Sequence, residues 1–336
     1  MRLGLAVRRD LFCRIVGIGL FLAVLLAGCS ESRPLQSPIG PTGPSPLPPS
    51  TSSAWTLSGT VVATQTATPI RGATIAPFGV TTNEAGTFST SGTGPRAPRL
   101  TIDAPGYLTR STGLGTQTDA ARIDLINLSG FSLDFYRAFV RNGHEAPGTL
   151  QPLRRWTQRP NLYIRRVDEA GQTVDSALIS LVERVARDAA ADWGERFGFA
   201  AIESGTETRE GQAVWITVKW LNPPESGNMC GRAQVGTPGG WIQLNHLSDQ
   251  CGGNGQRGVV AGLVRHEIGH SLGFWHTGNT QDIMGADRLG PEHRPSPRER
   301  AHAALAYTRP PGNTDPDNDP VGHVFSVTGE APVVVD

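Results

Sequence analysis

One short stretch carries residues whose types and spacing suit catalysis with a bound metal ion. It reads His266-Glu267-Ile268-Gly269-His270-Ser271-Leu272-Gly273-Phe274-Trp275-His276. On a helix, His266 and His270 lie one turn apart on one face, a spacing that lets two imidazole nitrogens bind one zinc ion. Glu267 lies one step round the helix. Zinc lowers the pKa of a bound water to about 7, so this carboxylate can take its proton.

The residues after the helix complete the site. Gly273 is expected to end the helix, because glycine adopts the left-handed conformation without a steric penalty. The chain then turns back and His276 supplies a third ligand. Three protein ligands with a fourth position left for water and substrate are typical of catalytic rather than structural zinc.

These positions form the pattern H-E-x-x-H-x-x-G-x-x-H, which resembles the metzincin clan of zinc endopeptidases. Met284 resembles the Met-turn residue that packs under the histidines in that clan. Thr277 follows the third histidine, and Ala286 stands where astacin-like and serralysin-like enzymes have a tyrosine ligand. The resemblance is therefore nearest to matrixin-like bacterial enzymes. It implies an endopeptidase that cleaves peptide or protein substrates, with Zn²⁺ as cofactor and Glu267 as general base.

The surrounding sequence predicts a supporting domain over residues 128–312. Asn161–Arg165 has the composition of a strand, and apolar residues from Val174 to Trp193 recur at helical spacing. Alternation from Val214 to Trp220 predicts a half-buried strand. Ser296-Pro297-Arg298-Glu299 is typical of a capping box that starts a last helix. The resemblance implies a twisted mixed sheet, long helices and a zinc cleft.

A strand just before the active-site helix is expected to be the sheet edge above the cleft, on its position and on the resemblance. Its residues are Trp241, Ile242, Gln243, Leu244 and Asn245. An extended substrate would add to this edge by main-chain hydrogen bonds. Cys230 and Cys251 flank it, and after export two remaining cysteines should form a disulfide. Zinc binding by these cysteines is the alternative, but no C-x-x-C pattern is present.

Residues 54–127 predict a small all-β module. Its segments Ser58-Gly59-Thr60-Val61, Asn83-Glu84-Ala85-Gly86 and Ala104-Pro105-Gly106-Tyr107 resemble the carboxypeptidase regulatory-like β-sandwich. The residues of this module are compatible with two roles. It could be a spacer, or it could bind substrate or glycan. The fold class of the whole chain is therefore predicted as α+β, a metzincin domain preceded by a β-sandwich.

Both ends of the chain predict segments outside the folded domains. Residues 1–28 have a basic start and a short apolar run, which indicates a signal peptide. Leu26-Ala27-Gly28-Cys29 resembles a bacterial lipobox, which implies lipidation of Cys29 and anchoring to the bacterial membrane, in this case the outer one. A plain secretory signal is the alternative. Residues 29–53 form a Pro/Ser-rich linker, and residues 313–336 are expected to be a flexible acidic tail.

Composition narrows the classes of partner. The chain has 30 basic and 30 acidic residues, so nucleic acid is not an expected partner. The protein is expected to be a monomer. The prediction is thus an exported, lipid-anchored zinc endopeptidase. Two alternatives are a non-catalytic envelope lipoprotein that binds through the β-module, and a zinc hydrolase of non-peptide substrates. An intact Glu267 argues against the first.

Overall fold

The computed structural model describes residues 53–114, 121–221, 229–251, 258–285 and 289–321. The chain divides into two compact units, Met1–Ser50 and Thr51–Asp336, and every described residue belongs to the second. The predicted signal peptide, Cys29 and nearly all of the linker lie outside the described residues. Within the described ranges, no helix combines the length and apolar character needed to cross a membrane.

Seven strands in two sheets form the first module. They are β1 (Ala54–Ala63), β2 (Thr74–Ala76), β3 (Val80–Thr81), β4 (Thr87–Thr93), β5 (Arg99–Asp103), β6 (Arg110–Gly113) and β7 (Ala121–Leu125). One sheet has the order β4-β1-β7 and the other β3-β2-β5-β6. Alternate residues are buried in one hydrophobic cluster common to both sheets, as with Leu100 and Ile102 on β5. The resemblance of this module to the regulatory-like β-sandwich stays a prediction.

A second set of elements follows. They are α1 (Leu133–Arg141), β8 (Asn161–Arg165), α2 (Ser176–Trp193), β9 (Ile202–Gly205), β10 (Trp215–Trp220), β11 (Gly231–Ala233), β12 (Trp241–Leu244), α3 (Ala261–Leu272) and α4 (Pro297–Ala306). The five strands form a mixed sheet of order β11-β12-β10-β8-β9, and β11 is antiparallel to β12 whereas the other pairs are parallel. Buried residues of α2, α3 and the sheet belong to one hydrophobic cluster. The molecule is therefore a mixed α/β structure, with β8, α2 and β10 at their predicted places.

The expected position of the substrate strand is wrong. Residues 241–244 form β12, which lies between β10 and β11 and has hydrogen-bonded neighbours on both sides. Ile242 and Leu244 are fully buried, and Asn245 donates its side-chain N–H to the Met229 carbonyl. The sheet edge is instead the three-residue strand β11.

The expected start of the flexible tail is also wrong. Asn313, Asp317 and Asp319 are almost completely buried. The Asp319 N–H donates to the Ser111 carbonyl, and the Ser111 N–H donates to the Asp317 carbonyl. Residues 317–319 thus pair with Ser111 of β6 in the first module, and the described part of the supposed tail is folded.

Buried ion pairs explain this packing. Arg309 is fully buried and contacts Asp317 at 2.8 Å and Asp124 at 2.5 Å. Arg110 contacts Asp124 at 2.7 Å and Asp319 at 2.9 Å. Burial alone would raise the pKa of Asp124, but the two guanidinium groups hold it well below its usual range. Two arginines thus bridge three aspartates, one from the first module and two from the end of the described chain.

Candidate metal centre

Helix α3 places two of the predicted ligands and the glutamate between them. His266, Glu267 and His270 are all buried. The helix ends at Gly273, which has a φ of 113° and so lies in the left-handed region. A β-carbon there would collide with the Arg154 carbonyl oxygen. Glycine is therefore required both by the turn and by the close approach of a neighbouring backbone.

The turn after Gly273 brings the third histidine to the first two. The Nε2 atom of His276 lies 3.2 Å from Nε2 of His266 and 3.1 Å from Nε2 of His270. A metal ion could be held by these three side chains, whose ligand atoms all lie within 4.8 Å of one another. The sequence-predicted triad is thus assembled by α3 and the turn that follows it.

The opposite ring nitrogen of each histidine fixes its tautomer. Nδ1 of His266 lies 2.7 Å from the Ile283 carbonyl oxygen, and Nδ1 of His270 lies 2.8 Å from the Phe274 carbonyl oxygen. A carbonyl oxygen can only accept, so each Nδ1 carries the proton and each Nε2 presents a lone pair. Nδ1 of His276 meets the Glu145 carboxylate at 2.5 Å, with the same consequence.

Three lone pairs that converge at this distance need a cation among them. A single shared proton could bridge one pair of nitrogens and would leave the third unpaired. A tetrahedral ion with bonds of about 2.0–2.1 Å spaces its ligand atoms by about 3.3 Å, close to the observed separations. Imidazole nitrogens suit zinc, copper, iron and nickel. The residues present therefore fit a transition-metal ion.

Burial keeps the two helix histidines neutral. Loss of solvent lowers the pKa of His266 to about 4 and lowers the pKa of His270 well below its ordinary value. Neutral imidazole is the form that binds a metal. The pair is thus ready to bind at neutral pH without releasing protons.

Glu267 lies beside the triad with one oxygen unused. Its Oε1 packs against Gly231 of β11, where a β-carbon would collide with it. Its Oε2 is buried and has no hydrogen-bond partner in the part of the chain that the structure describes. Burial raises the pKa of this carboxyl to about 8. A buried carboxyl with a free oxygen is costly unless something polar meets it there.

Met284 packs against α3, the helix that carries His266 and His270. It is fully buried, and a β-carbon on Gly269 of α3 would collide with its sulfur atom. The N–H groups of Ile283 and Met284 both donate to the Glu299 carboxylate, at 3.1 and 2.9 Å. Glu299 thus stabilises the turn at Ile283 and Met284. The Ile283 carbonyl of this turn accepts the hydrogen bond from Nδ1 of His266.

Four residues of this arrangement were not predicted as site residues: Gly231, Glu145, Asp282 and Glu299. Asp282 accepts from Thr277, Ser296 and Arg298, which ties the turn to α4. The capping box does identify Glu299 as the partner of the Ser296 N–H, but not as a partner of the Met284 turn. Nothing in the sequence near Glu145 or Gly231 indicates a metal site.

Two cavities flank the triad, and β11 borders both. One of about 390 Å³ is lined by Gly231, Leu263 and Thr277, and one of about 230 Å³ by Arg232, Ala233 and Trp275. His266, Glu267, His276 and Glu145 line both. Because the two cavities share these lining residues, they adjoin at the triad and are together called the cleft.

The two cysteines hold this edge in place. Cys230, directly before β11, forms a disulfide with Cys251, and their α-carbons are 5.3 Å apart. The Asn245 N–H also donates to the Cys230 carbonyl. Closing a loop of this length contributes on the order of 3 kcal/mol. The disulfide thus fastens a strand that has a sheet neighbour on one side.

Comparison with known proteins adds little. No protein-family model and no curated protein sequence matches the chain. Metalloproteinase-II from Bacteroides fragilis aligns at 12% identity and a TM-score of 0.30, over 64% of this chain and 81% of that one. A chaperone–substrate complex aligns at 13% identity and a TM-score of 0.26, over 61% of this chain and 37% of that one. Similarities this low carry no conclusion, so function is inferred from the site.

Proposed function

We propose that this chain is a zinc-dependent endopeptidase of the metzincin type. One observation carries the proposal: three imidazole Nε2 lone pairs converge within hydrogen-bond distance, beside a buried carboxylate oxygen that has no partner among the described residues. The cleft that contains them is bordered by β11, which among the described residues has a sheet neighbour on one side only. Metal ligands, a base and a place for an extended chain are the three parts that peptide hydrolysis needs.

His266, His270 and His276 would hold the ion. Three nitrogen ligands with an open side favour catalytic zinc over a closed structural site. When bound, zinc supplies a Lewis acid that polarises a carbonyl oxygen and acidifies water. The backbone carbonyls of Ile283 and Phe274 keep the two helix imidazoles in the tautomer that this requires.

Glu267 would move the proton. Its free Oε2 accepts a proton from the attacking water, and the same carboxyl then gives it to the nitrogen of the leaving amine. Burial raises the pKa of this carboxyl in the metal-free protein, and a cation held by the adjacent histidines would favour the ionised form that accepts the proton. The contact with Gly231 fixes the direction in which the carboxylate points.

Strand β11 would bind the substrate. Its residues Gly231–Ala233 pair with β12 on one side, and the other side borders the cleft. An extended peptide could add there by main-chain hydrogen bonds, with its side chains directed into the two cavities. This replaces β12 as the proposed substrate strand.

The cellular setting belongs to the same proposal. Export, cleavage before Cys29 and lipidation of that residue would place the enzyme on the bacterial envelope. Replacing Cys29 by serine should release the protein from the membrane fraction, and unchanged fractionation would contradict lipid anchoring.

The decisive experiment compares the purified protein, loaded with zinc, with its Glu267→Ala variant on a mixed peptide library. Mass spectrometry should find internal cuts with the unmodified protein and at least about 10²-fold fewer with the variant, because general base catalysis contributes about 10²–10⁴-fold. Metal analysis should find equal zinc in both. Full activity of the variant would contradict the mechanism, and cleavage by neither protein would favour the binding lipoprotein.

A further inference from the structure

The third histidine differs from the other two in the partner of its Nδ1 atom. His266 and His270 each meet a backbone carbonyl, whereas His276 meets the side-chain carboxylate of Glu145. A carboxylate makes a stronger hydrogen bond than a neutral carbonyl and increases the electron density on the imidazole. His276 is therefore the candidate ligand whose Nδ1–H donates to a charged group.

The chain brings Glu145 to this position through a firmly packed element. Phe139 of α1 stacks on Phe274 with ring centroids 4.5 Å apart, and the Trp275 N–H donates to the Phe139 carbonyl at 2.7 Å. These contacts join α1 directly to the turn that carries His276. The position of Glu145 is thus set by the same packing that positions the ligand.

The turn after α1 then holds the glutamate over the ligand. Asn142 ends α1 in the left-handed conformation, and its carbonyl accepts from the Ala146 N–H at 2.9 Å. His144, next to Glu145, lies against Gly278. Two neighbouring side chains of this turn therefore contact the segment that contains His276.

Exposure limits the size of the effect. The Glu145 side chain is 49% exposed and that of His276 is 42% exposed, so solvent screens the pair. Partners that support metal-bound histidines are worth about 10–100-fold in metal affinity. The low end of that range is expected here.

We propose that Glu145 is a positioning residue of the metal centre, which holds His276 in its Nδ1–H tautomer and strengthens Nε2 as a metal ligand. This inference rests on the proposed function, because it requires that the triad binds a metal ion. Its consequence is that removing the charge weakens metal binding although no ligand has been changed.

The test measures zinc affinity by competition with a chromophoric chelator, using the full chain and its Glu145→Gln and Glu145→Ala variants. Glutamine keeps an oxygen acceptor of the same shape without the charge. We expect zinc affinity to fall about tenfold in Glu145→Ala, and by a measurable but smaller factor in Glu145→Gln, which keeps an acceptor for the His276 N–H. The visible spectrum of the cobalt-substituted protein should shift in both variants, since the environment of one ligand has changed.

Two controls separate positioning from a structural role. Glu195→Gln changes a glutamate that is 85% exposed in its pair with Arg159 and that lines neither cavity of the cleft, so its zinc affinity should equal that of the unmodified protein. Thermal unfolding of the metal-free Glu145 variants should also match the unmodified protein.

The outcomes distinguish the two proposals. Equal zinc affinity of Glu145→Gln and the unmodified protein overturns the role of Glu145, whatever the alanine variant does, and leaves the proposed function standing. An unmodified protein that binds neither zinc nor cobalt overturns the proposed function and this inference together.

Discussion

At the scale of single residues, the site depends on a close contact between a glycine and a carboxylate. Gly231 of β11 lies against Glu267, with no room for a β-carbon between them. The three histidines do not make this contact. The direction of the proposed base can therefore be disturbed while the metal ligands stay in place.

Replacing Gly231 by alanine tests this separation. The added methyl group should displace the Glu267 carboxylate, and we expect peptide cleavage to fall at least about 10²-fold, since a 1 Å misplacement can have that effect. Zinc content, measured by metal analysis, should not change. Gly148→Ala is the matched control, because nothing lies within 4 Å of a β-carbon at that position.

An active Gly231→Ala enzyme would show that Glu267 does not need this support. Loss of zinc together with activity would indicate that β11 also holds the ligands, which the described contacts do not suggest.

The sequence predicts the residues of this site that share a short segment. His266, Glu267, His270 and Gly273 follow helical spacing, and their positions are those predicted. Glu145 lies 131 residues from His276, and its neighbours follow no periodic pattern. Its position depends on how α1 packs in the folded protein, and the spacing of residues within a short segment does not reveal that packing.

At the scale of elements, α4 stabilises the turn beneath the metal centre. Glu299 is fully buried and accepts the N–H groups of Ile283, Met284 and Ser296. The Ile283 carbonyl in turn holds Nδ1 of His266. One carboxylate thus links the start of a helix to the orientation of a candidate metal ligand.

Replacing Glu299 by alanine should therefore affect both stability and metal binding. Two buried N–H groups and the half-buried N–H of Ser296 would lose their acceptor, and we expect the free energy of unfolding of the metal-free protein to fall by about 2–4 kcal/mol. Urea denaturation measures this quantity. Zinc affinity should fall as well, since the Ile283 carbonyl would no longer be fixed.

Arg300→Ala, at the next position of the same helix, provides the comparison. It should leave stability within about 0.5 kcal/mol, as surface substitutions usually do. Similar unfolding midpoints for both variants would contradict the role given to α4.

The elements also show where sequence patterns mislead. The capping box at Ser296 is a local signal and is present as predicted. Strand β11 has three residues, two of them small, and no alternation that could mark it as an edge. The prediction placed the edge at Trp241–Leu244 from the position of this strand before α3 and from the resemblance, and neither of these reveals the short strand β11 beyond it.

At the scale of the whole molecule, buried charges connect the first module to the end of the described chain. Asp124 and Arg110 of the first module pair with Arg309 and Asp319 across sequence separations of 185 and 209 residues. Removing one partner from such a group leaves a buried charge uncompensated, which typically destabilises by about 3–5 kcal/mol.

This network should make the protein sensitive to acid. The pKa values of Asp124 and Asp319 are held below the ordinary value of 3.8 in the folded state, so their contribution is complete above that value. It should be lost progressively as the pH falls below about 4. Urea unfolding between pH 6 and pH 2 measures the loss.

The variant Asp124→Asn checks the assignment. It should be less stable than the unmodified protein by about 3 kcal/mol at pH 6, and the difference should shrink as the pH approaches 2. A difference that stays constant with pH would mean that the carboxylate charge of Asp124 does not stabilise the fold.

The same network explains why the tail was predicted wrongly. Residues 313–321 are rich in Asp, Asn and Pro, a composition that usually stays in solvent. Their partners are arginines, and three of these, Arg110, Arg137 and Arg141, lie far upstream in the chain. Composition reports the polarity of a segment, but only the fold shows that its charges are already paired.

The pairing of residues 317–319 with β6 also has a consequence for the order of events during synthesis. Arg110 and Asp124 are made early, whereas Arg309, Asp317 and Asp319 are made almost two hundred residues later. Until then, Arg110 and Asp124 pair with each other but lack Arg309 and Asp319, and β6 lacks the segment that bonds to its edge. Its strands can form early, but its native state is complete only when the later segment arrives.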